Sequence, residues 1–273
     1  MKYILMFLII TCALKLSAQT NFNKTMFFGP FGYKIKYAVP NNYIHDTIPN
    51  TMFTIFNFGS ASICDSNGNL LIISNGMNLY NAHGTAYIEN GDTMASSGWY
   101  NENQGFDRYI QTCLILPFEN KKYYHVQVSM SDTQLYKAIN ISDFRMDRLY
   151  YSIIDMNMNG GQGKVVQRMK TLIDNKYLFR SAMQACKHAN GKDWWVLKIG
   201  ADSTEGYSVY KYLFTQDSVI DMGKQLLNIS YKGDWGQGQM QFNKTGDKWA
   251  CSLSNTTDGE VLLADFDRCT GLL

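Results

Sequence analysis

Histidine is scarce in this sequence, proline scarcer, and paired cysteines are missing, and each shortage removes a class of chemistry. The four histidines, His45, His83, His125 and His188, form no H-E-x-x-H and no close pair, so metallohydrolase ligand spacing is absent. No C-x-x-C occurs, which excludes zinc-knuckle and thioredoxin-type motifs. The Gly59-Ser60-Ala61 stretch lacks the surroundings of a nucleophile elbow. In Gly160-Gly161-Gln162-Gly163-Lys164, Met158 stands where a phosphate loop needs its first glycine and Val165 where it needs Ser or Thr, so a flexible loop between strands is expected. Neither a metal nor a cofactor is expected.

Charge of one sign is also lacking. The formal net charge is +2, with lysines and arginines scattered, so there is no electrostatic footprint for nucleic acid. After the first residues no apolar run is long enough to span a bilayer. The opening run itself, Tyr3 to Leu14 behind Lys2, falls short of the roughly 20 residues of a membrane span and is broken by Lys15. With small residues at Ser17 and Ala18, residues 1–18 read as a secretory signal peptide cleaved before Gln19, which implies an exported mature chain at the cell surface, outside the cell or in the periplasm. Thr11 before Cys12 is a poor fit to a lipoprotein signal, so Cys12 goes with the discarded peptide. The six cysteines then leave Cys64, Cys113, Cys186, Cys251 and Cys269, an odd set with room for at most two disulfides. Buried small hydrophobes in strands are the expected role for most of them.

What is present is strand composition. Aromatic residues make up 14% of the chain, in short runs separated by Asn, Asp and Gly. The runs Asn69 to Ser74, Tyr109 to Leu116, Lys122 to Ser129, Arg148 to Ile154, Asp193 to Ile199, Tyr207 to Phe214, Lys248 to Leu253 and Glu260 to Phe266 predict strands, and long amphipathic helices are absent. Between strands, Asn67-Gly68, Asn75-Gly76, Asn90-Gly91, Asn190-Gly191, Thr245-Gly246 and Asp258-Gly259 tolerate positive φ in tight turns, which predicts antiparallel hairpins. With only four prolines and no linker-like stretch, residues 19–273 read as one domain.

A weak repeat aligns on the turns. Ala61 to Leu71, Ala185 to Trp195 and Gln239 to Trp249 each read as strand, Gly turn and returning apolar strand, with a further strand behind. Units of several strands recurring every 40 to 50 residues or so predict an all-β fold of the β-propeller type. A β-sandwich is the alternative, since it also has many short strands at regular spacing.

The wording of several segments resembles a known group. Asp65-Ser66-Asn67-Gly68-Asn69-Leu70-Leu71, Tyr151 to Met156 with Gly160 to Val165, His188 to Trp195, and Asp265 to Gly271 succeed one another in that order. Together they resemble the N-terminal propeller region of large secreted Bacteroidetes proteins associated with gliding motility or type IX secretion. The resemblance runs from Phe27 to Leu273 and implies a WD40-like or YVTN-like propeller in a longer protein with a sorting domain. Strands counted in fours give about four blades, the last incomplete, so the expectation is part of a larger ring and a truncated reading frame.

The residues left for function are few. Asp65 to Asn69 carries oxygen side chains at alternating positions, as calcium loops do, but a hairpin turn accounts for them by backbone needs alone. The segments before Trp194 and Trp249 lack the aspartate of an aspartate-box turn. Trp99, Tyr100, Trp194, Trp195 and Trp235 could stack on a sugar. Alternation puts Trp194 and Trp195 on opposite strand faces, with core packing expected, so Trp99 and Trp235, in loop-like segments, are the surface candidates for ligand binding. The expected function is a non-enzymatic binding module or scaffold recognising protein or glycan through loops. The rival is a secreted propeller hydrolase or lyase acting on polysaccharide, with Asp155, Asp265 or Asp267 as acid and base.

Overall fold

The computed structural model describes residues 59–202, 206–227, 229, 237–254 and 259–273, with three further strands between residues 25 and 47 described by their backbone. The protein is all-β, and every strand pair is antiparallel. A first sheet holds β1 (Thr25–Phe28), β2 (Tyr33–Ala38) and β3 (Asn42–Thr47). A second holds β4 (Ala61–Cys64), β5 (Leu70–Ser74) and β6 (Leu79–Asn81). A seven-stranded meander follows: β7 (Cys113–Pro117), β8 (Lys122–Ser129), β9 (Met146–Asp155), β10 (Lys164–Lys187), β11 (Trp194–Asp202), β12 (Gly206–Phe214) and β13 (Val219–Leu226). The last sheet holds β14 (Gln237–Phe242), β15 (Lys248–Ser254) and β16 (Gly259–Asp265). Two short helices interrupt the strands, α1 (Ser97–Glu102) before β7 and α2 (Asp132–Ile141) between β8 and β9.

Four of the six expected Gly turns join consecutive strands; Asn90-Gly91 instead lies between β6 and α1, and Asp258 lies outside the described residues. Gly68, Gly191 and Gly246 have φ of 83°, 73° and 76°, and each donates its N–H to the carbonyl three residues back, that of Asp65, His188 and Asn243. These turns join β4 to β5, β10 to β11 and β14 to β15, so each aligned repeat segment spans one hairpin, the first two strands of a three-stranded sheet in two cases and the middle of the seven-stranded sheet in the third. The Asp65 carboxylate accepts from the N–H groups of Asn67 and Asn69, both at 2.9 Å, and so closes its own turn. The turn at Asn159–Gly161 joins β9 to β10.

Two strands of the meander depart from the sequence expectation. β13 lies outside the runs read there, and of Lys164 to Lys187 only the end, from Ala185, is read as strand, yet β10 runs the full 24 residues and serves two partners in succession. Its first part pairs with β9 from Lys164 to Leu178, and its second part pairs with β11 from Leu178 to Lys187. Register shifts and positive φ at Met169, Asn175 and Ala182 bend it along the way. The first part alternates polar, exposed residues with few aromatics, which is why composition conceals it. The expected start of β7 at Tyr109 also moves: residues 109–112 form a turn, with φ of 52° at Gln111, and pairing begins at Cys113.

Because β10 bends, the two halves of the seven-stranded meander pack on each other. Tyr124, Val126 and Val128 of β8 with Leu149 and Tyr151 of β9 meet Val196, Tyr212 and Phe214 of β11 and β12. The Phe214 ring lies edge-on to Tyr124 and Tyr151, with centroids 5.2 and 5.9 Å away. On the outer side of the first half, Tyr123, Ile154 and Val165 meet Ile63, Ile72 and Leu79 of the β4–β6 sheet. On the outer side of the second, Phe179, Trp195, Leu197 and Val209 meet Met240, Trp249 and Cys251 of the β14–β16 sheet. From the β4–β6 sheet to the β14–β16 sheet, four layers therefore stack in chain order, each buried on the next, and the β1–β3 sheet precedes them in the chain. Cys64, Cys113, Cys186 and Cys251 are buried as free thiols and Cys269 is exposed.

Candidate functional site

The sequence-derived candidates do not gather at one place. Trp99 is not on a surface loop: it lies on α1, is 5% exposed, and stacks parallel to Tyr109 with centroids 6.5 Å apart. Its Ser-Ser-Gly-Trp-Tyr-Asn setting looks like a loop in sequence, but α1 packs its ring into the main core. Trp235 lies outside the described residues. Trp195 is buried between the second half of the meander and the last sheet, its indole N–H donating to the Arg268 carbonyl at 2.8 Å. Trp194, on the opposite face, carries the Lys187 ammonium 4.0 Å from its ring centre.

The three carboxylates of the hydrolase reading are each engaged locally. Asp155 accepts from the Asn157 N–H at 2.9 Å in the turn after β9. Asp265, at the end of β16, forms an ion pair with Lys248. Asp267 lies beyond that strand, accepting from the Cys269 N–H and the Thr270 hydroxyl, both at 2.8 Å, and these bonds hold its carboxyl below the usual range. Both Asp155 and Asp267 act as turn-closing groups.

A polar cluster that the sequence did not announce lies between the β4–β6 sheet and the first half of the meander. On β8 the side chains of His125, Gln127 and Ser129 share one face and are buried, with Cys113 opposite Gln127 across the pair with β7. From β5, Ser74 meets this face, its hydroxyl 3.0 Å from Nε2 of His125 while it accepts from the Gly76 N–H at 3.0 Å. The Cys113 thiol donates to the Gly59 carbonyl at 3.4 Å, and burial pushes it up to about 12. Beside it sits Asp107, fully buried, whose Oδ1 accepts from the Tyr109 N–H at 3.0 Å. Glycine is required around this carboxylate: a Cβ on Gly59 or Gly76 would come within 2.6 or 2.5 Å of the Asp107 Cβ.

Electrostatics keep the cluster close to neutral. Burial raises the Asp107 carboxyl to about 7 against the opposing pull of its hydrogen bonds and of the Lys198 charge. Lys198, on β11, is also fully buried, and burial lowers its ammonium to about 7 although Cys251 and Asp107 act to raise it. It donates to the carbonyls of Phe179, at 2.7 Å, and of Ser181. Burial lowers His125 to about 3, so its imidazole is neutral at physiological pH. The Ser74–His125 contact has the length of a nucleophile and base pair, but a base that weak does not take a serine proton at neutral pH. Among the described residues its Nδ1 has no partner to orient the ring, unlike the base of a triad. Among the described residues, no three His, Cys, Asp or Glu side chains are placed to hold a metal ion.

No family model matches the chain, and no curated protein matches it. Among solved structures, an α-L-arabinofuranosidase from Lactobacillus brevis aligns at TM-score 0.34 and 9% identity, covering 91% of this chain and 94% of that one. Kuenenia stuttgartiensis hydrazine synthase aligns at TM-score 0.30 and 10% identity, covering 82% of this chain and 71% of that one. Likeness at this level carries no argument about fold type or activity.

The polar stripe was hidden by its own pattern. In Tyr123-Tyr124-His125-Val126-Gln127-Val128-Ser129, polar and apolar residues alternate as in a strand with one wet face, whereas layers cover both faces here. A lone Lys198 within Trp194-Trp195-Val196-Leu197-Lys198-Ile199 was the other available signal. Exposed apolar side chains lie elsewhere: Tyr136, Ile139 and Ile141 on α2 are 68%, 60% and 69% exposed, with Phe144 exposed just beyond it, and Val261 and Leu263 on β16 are 69% and 79% exposed. No helix among the described residues is long and apolar enough to cross a membrane.

Proposed function

We propose that the chain is an exported β-propeller that works as a non-catalytic binding module, with its sheets as blades and a protein as its partner. The ring reading is supported by the chain-order stacking of the layers and by β10, which leaves one layer as its last strand and enters the next as its first. Export rests on residues 1–18. The binding reading rests on α2. A ten-residue insertion between two neighbouring strands carries Tyr136, Ile139 and Ile141 into solvent, and large exposed apolar side chains fit a protein contact surface better than a sugar site.

The test is a comparison of the native protein with a Tyr136→Ser/Ile139→Ser variant at the cell surface, using cross-linking from α2 and mass spectrometry. One dominant protein partner is expected, lost in the variant, with secreted material beginning at Gln19. Polysaccharide turnover that disappears when Asp155, Asp265 and Asp267 are changed to Asn would overturn the binding reading. Retention of the uncleaved chain inside the cell would overturn export.

A further inference from the structure

The interior face of β8 has more hydrogen-bonding capacity than the protein around it uses. Four of the eight buried side-chain atoms without a hydrogen-bond partner among the described residues belong to it: Nδ1 of His125, Oε1 and Nε2 of Gln127, and Oγ of Ser129. A fifth, Oδ2 of Asp107, adjoins the same cluster through Cys113. Each such group bears its full desolvation penalty if unmet, and natural interiors meet nearly all of them, with ordered water where protein groups do not reach.

Geometry selects the guest. Side chains on one strand face recur every second residue, about 7 Å apart, too far for direct bonds between them and within reach of a bridging water. The free groups on β8 are a neutral imidazole nitrogen, an amide oxygen, an amide NH2 and a hydroxyl, an uncharged mixture of donors and acceptors that water matches, with the partly ionised Asp107 carboxyl beside them. Next to them, Gly59 and Gly76 pack tightly on Asp107, so the backbone closes that side of the cluster. The other end of the same interlayer seam is closed by Ile63, Ile72, Tyr123 and Ile154, so solvent is confined to the polar end.

We propose that His125, Gln127 and Ser129 of β8 form a built site for a short file of ordered water between the β4–β6 sheet and the first half of the meander. The water completes the hydrogen bonds that Ser74 and Cys113 leave open and replaces apolar packing along that part of the seam. It also gives the buried Asp107 a hydrated neighbour.

Crystals of the mature chain, at a resolution that shows ordered solvent, test this. Discrete solvent peaks are expected within hydrogen-bond distance of Gln127 Oε1 and Nε2, His125 Nδ1 and Ser129 Oγ. A Gln127→Met crystal, close in shape and without polar side-chain atoms, should lose the peaks at that position and keep the fold. If that variant does not fold, Ser129→Ala should lose the single peak at its own position. The proposal fails if Gln127 and His125 bond directly to protein atoms with no solvent between them, if the density is an organic molecule, or if the substituted position keeps its peaks.

Discussion

Glycine decides the interior at single positions. Gly76 combines φ of 87° with a Cβ position 2.5 Å from Asp107 and 2.7 Å from the Gly59 carbonyl, whereas Gly191, at φ of 73°, faces open space. Gly191→Ala should therefore cost about 1 to 2 kcal/mol, the strain of a left-handed residue, and Gly76→Ala should exceed about 3 kcal/mol because overpacking is added. Urea midpoints of the two variants check the difference. Both glycines are legible in sequence as Asn-Gly turns, but only the layer above Gly76 makes it different. Trp99 shows the same gap: residue type and neighbours suggest a solvent-facing ring, while stacking on Tyr109 is set by chain 10 residues away.

Hairpin elements were readable because their signal is local. Three use a Gly at positive φ between apolar runs, the turn before β8 uses Asn120 and Lys121, and the runs at Lys122 to Ser129 and Tyr207 to Phe214 match β8 and β12 to within a residue. The long strand was not readable, because it is held by partners on two different sides and bends between them. Ala182, buried with φ of 59°, sits in that bend. Ala182→Val should be strongly destabilising, by about 2 to 4 kcal/mol, since a β-branched residue tolerates neither the conformation nor the space; a lowered thermal midpoint with an unchanged far-UV spectrum before melting is the expected readout. At α2, Ser131 accepts from the Gln134 N–H at 3.1 Å and donates to the buried Asp147 carboxylate at 2.6 Å. Ser131→Ala should cost about 2 kcal/mol, cap and buried partner together, measured by denaturant titration.

At the scale of the molecule, layers and buried charges set stability. Phe214→Ala opens the seam between the two halves of the meander and should cost about 3 to 5 kcal/mol. The pH profile should carry the mark of Lys198. Its pKa is near 7 when folded against the ordinary 10.5, so the unfolded chain binds the extra proton between those values and stability rises with pH across that window. The limiting slope for one proton is about 1.4 kcal/mol per pH unit. Lys198→Met should flatten the profile above pH 7. Asp107 acts in the opposite sense below that: its raised pKa makes stability fall as pH climbs from 3.8 to about 7, while His125 offsets it from about 3 to 6.5.

The stacking of layers in chain order, joined by one strand that belongs to two of them, is what the proposed ring depends on. A crystal structure of residues 19–273 tests it most directly. The ring reading predicts that β1, β4, β7, the second part of β10 and β14 stand side by side around a common axis, with their sheets radiating outward. Two flat layers facing each other, with β7 to β13 as one unbent sheet, would contradict it.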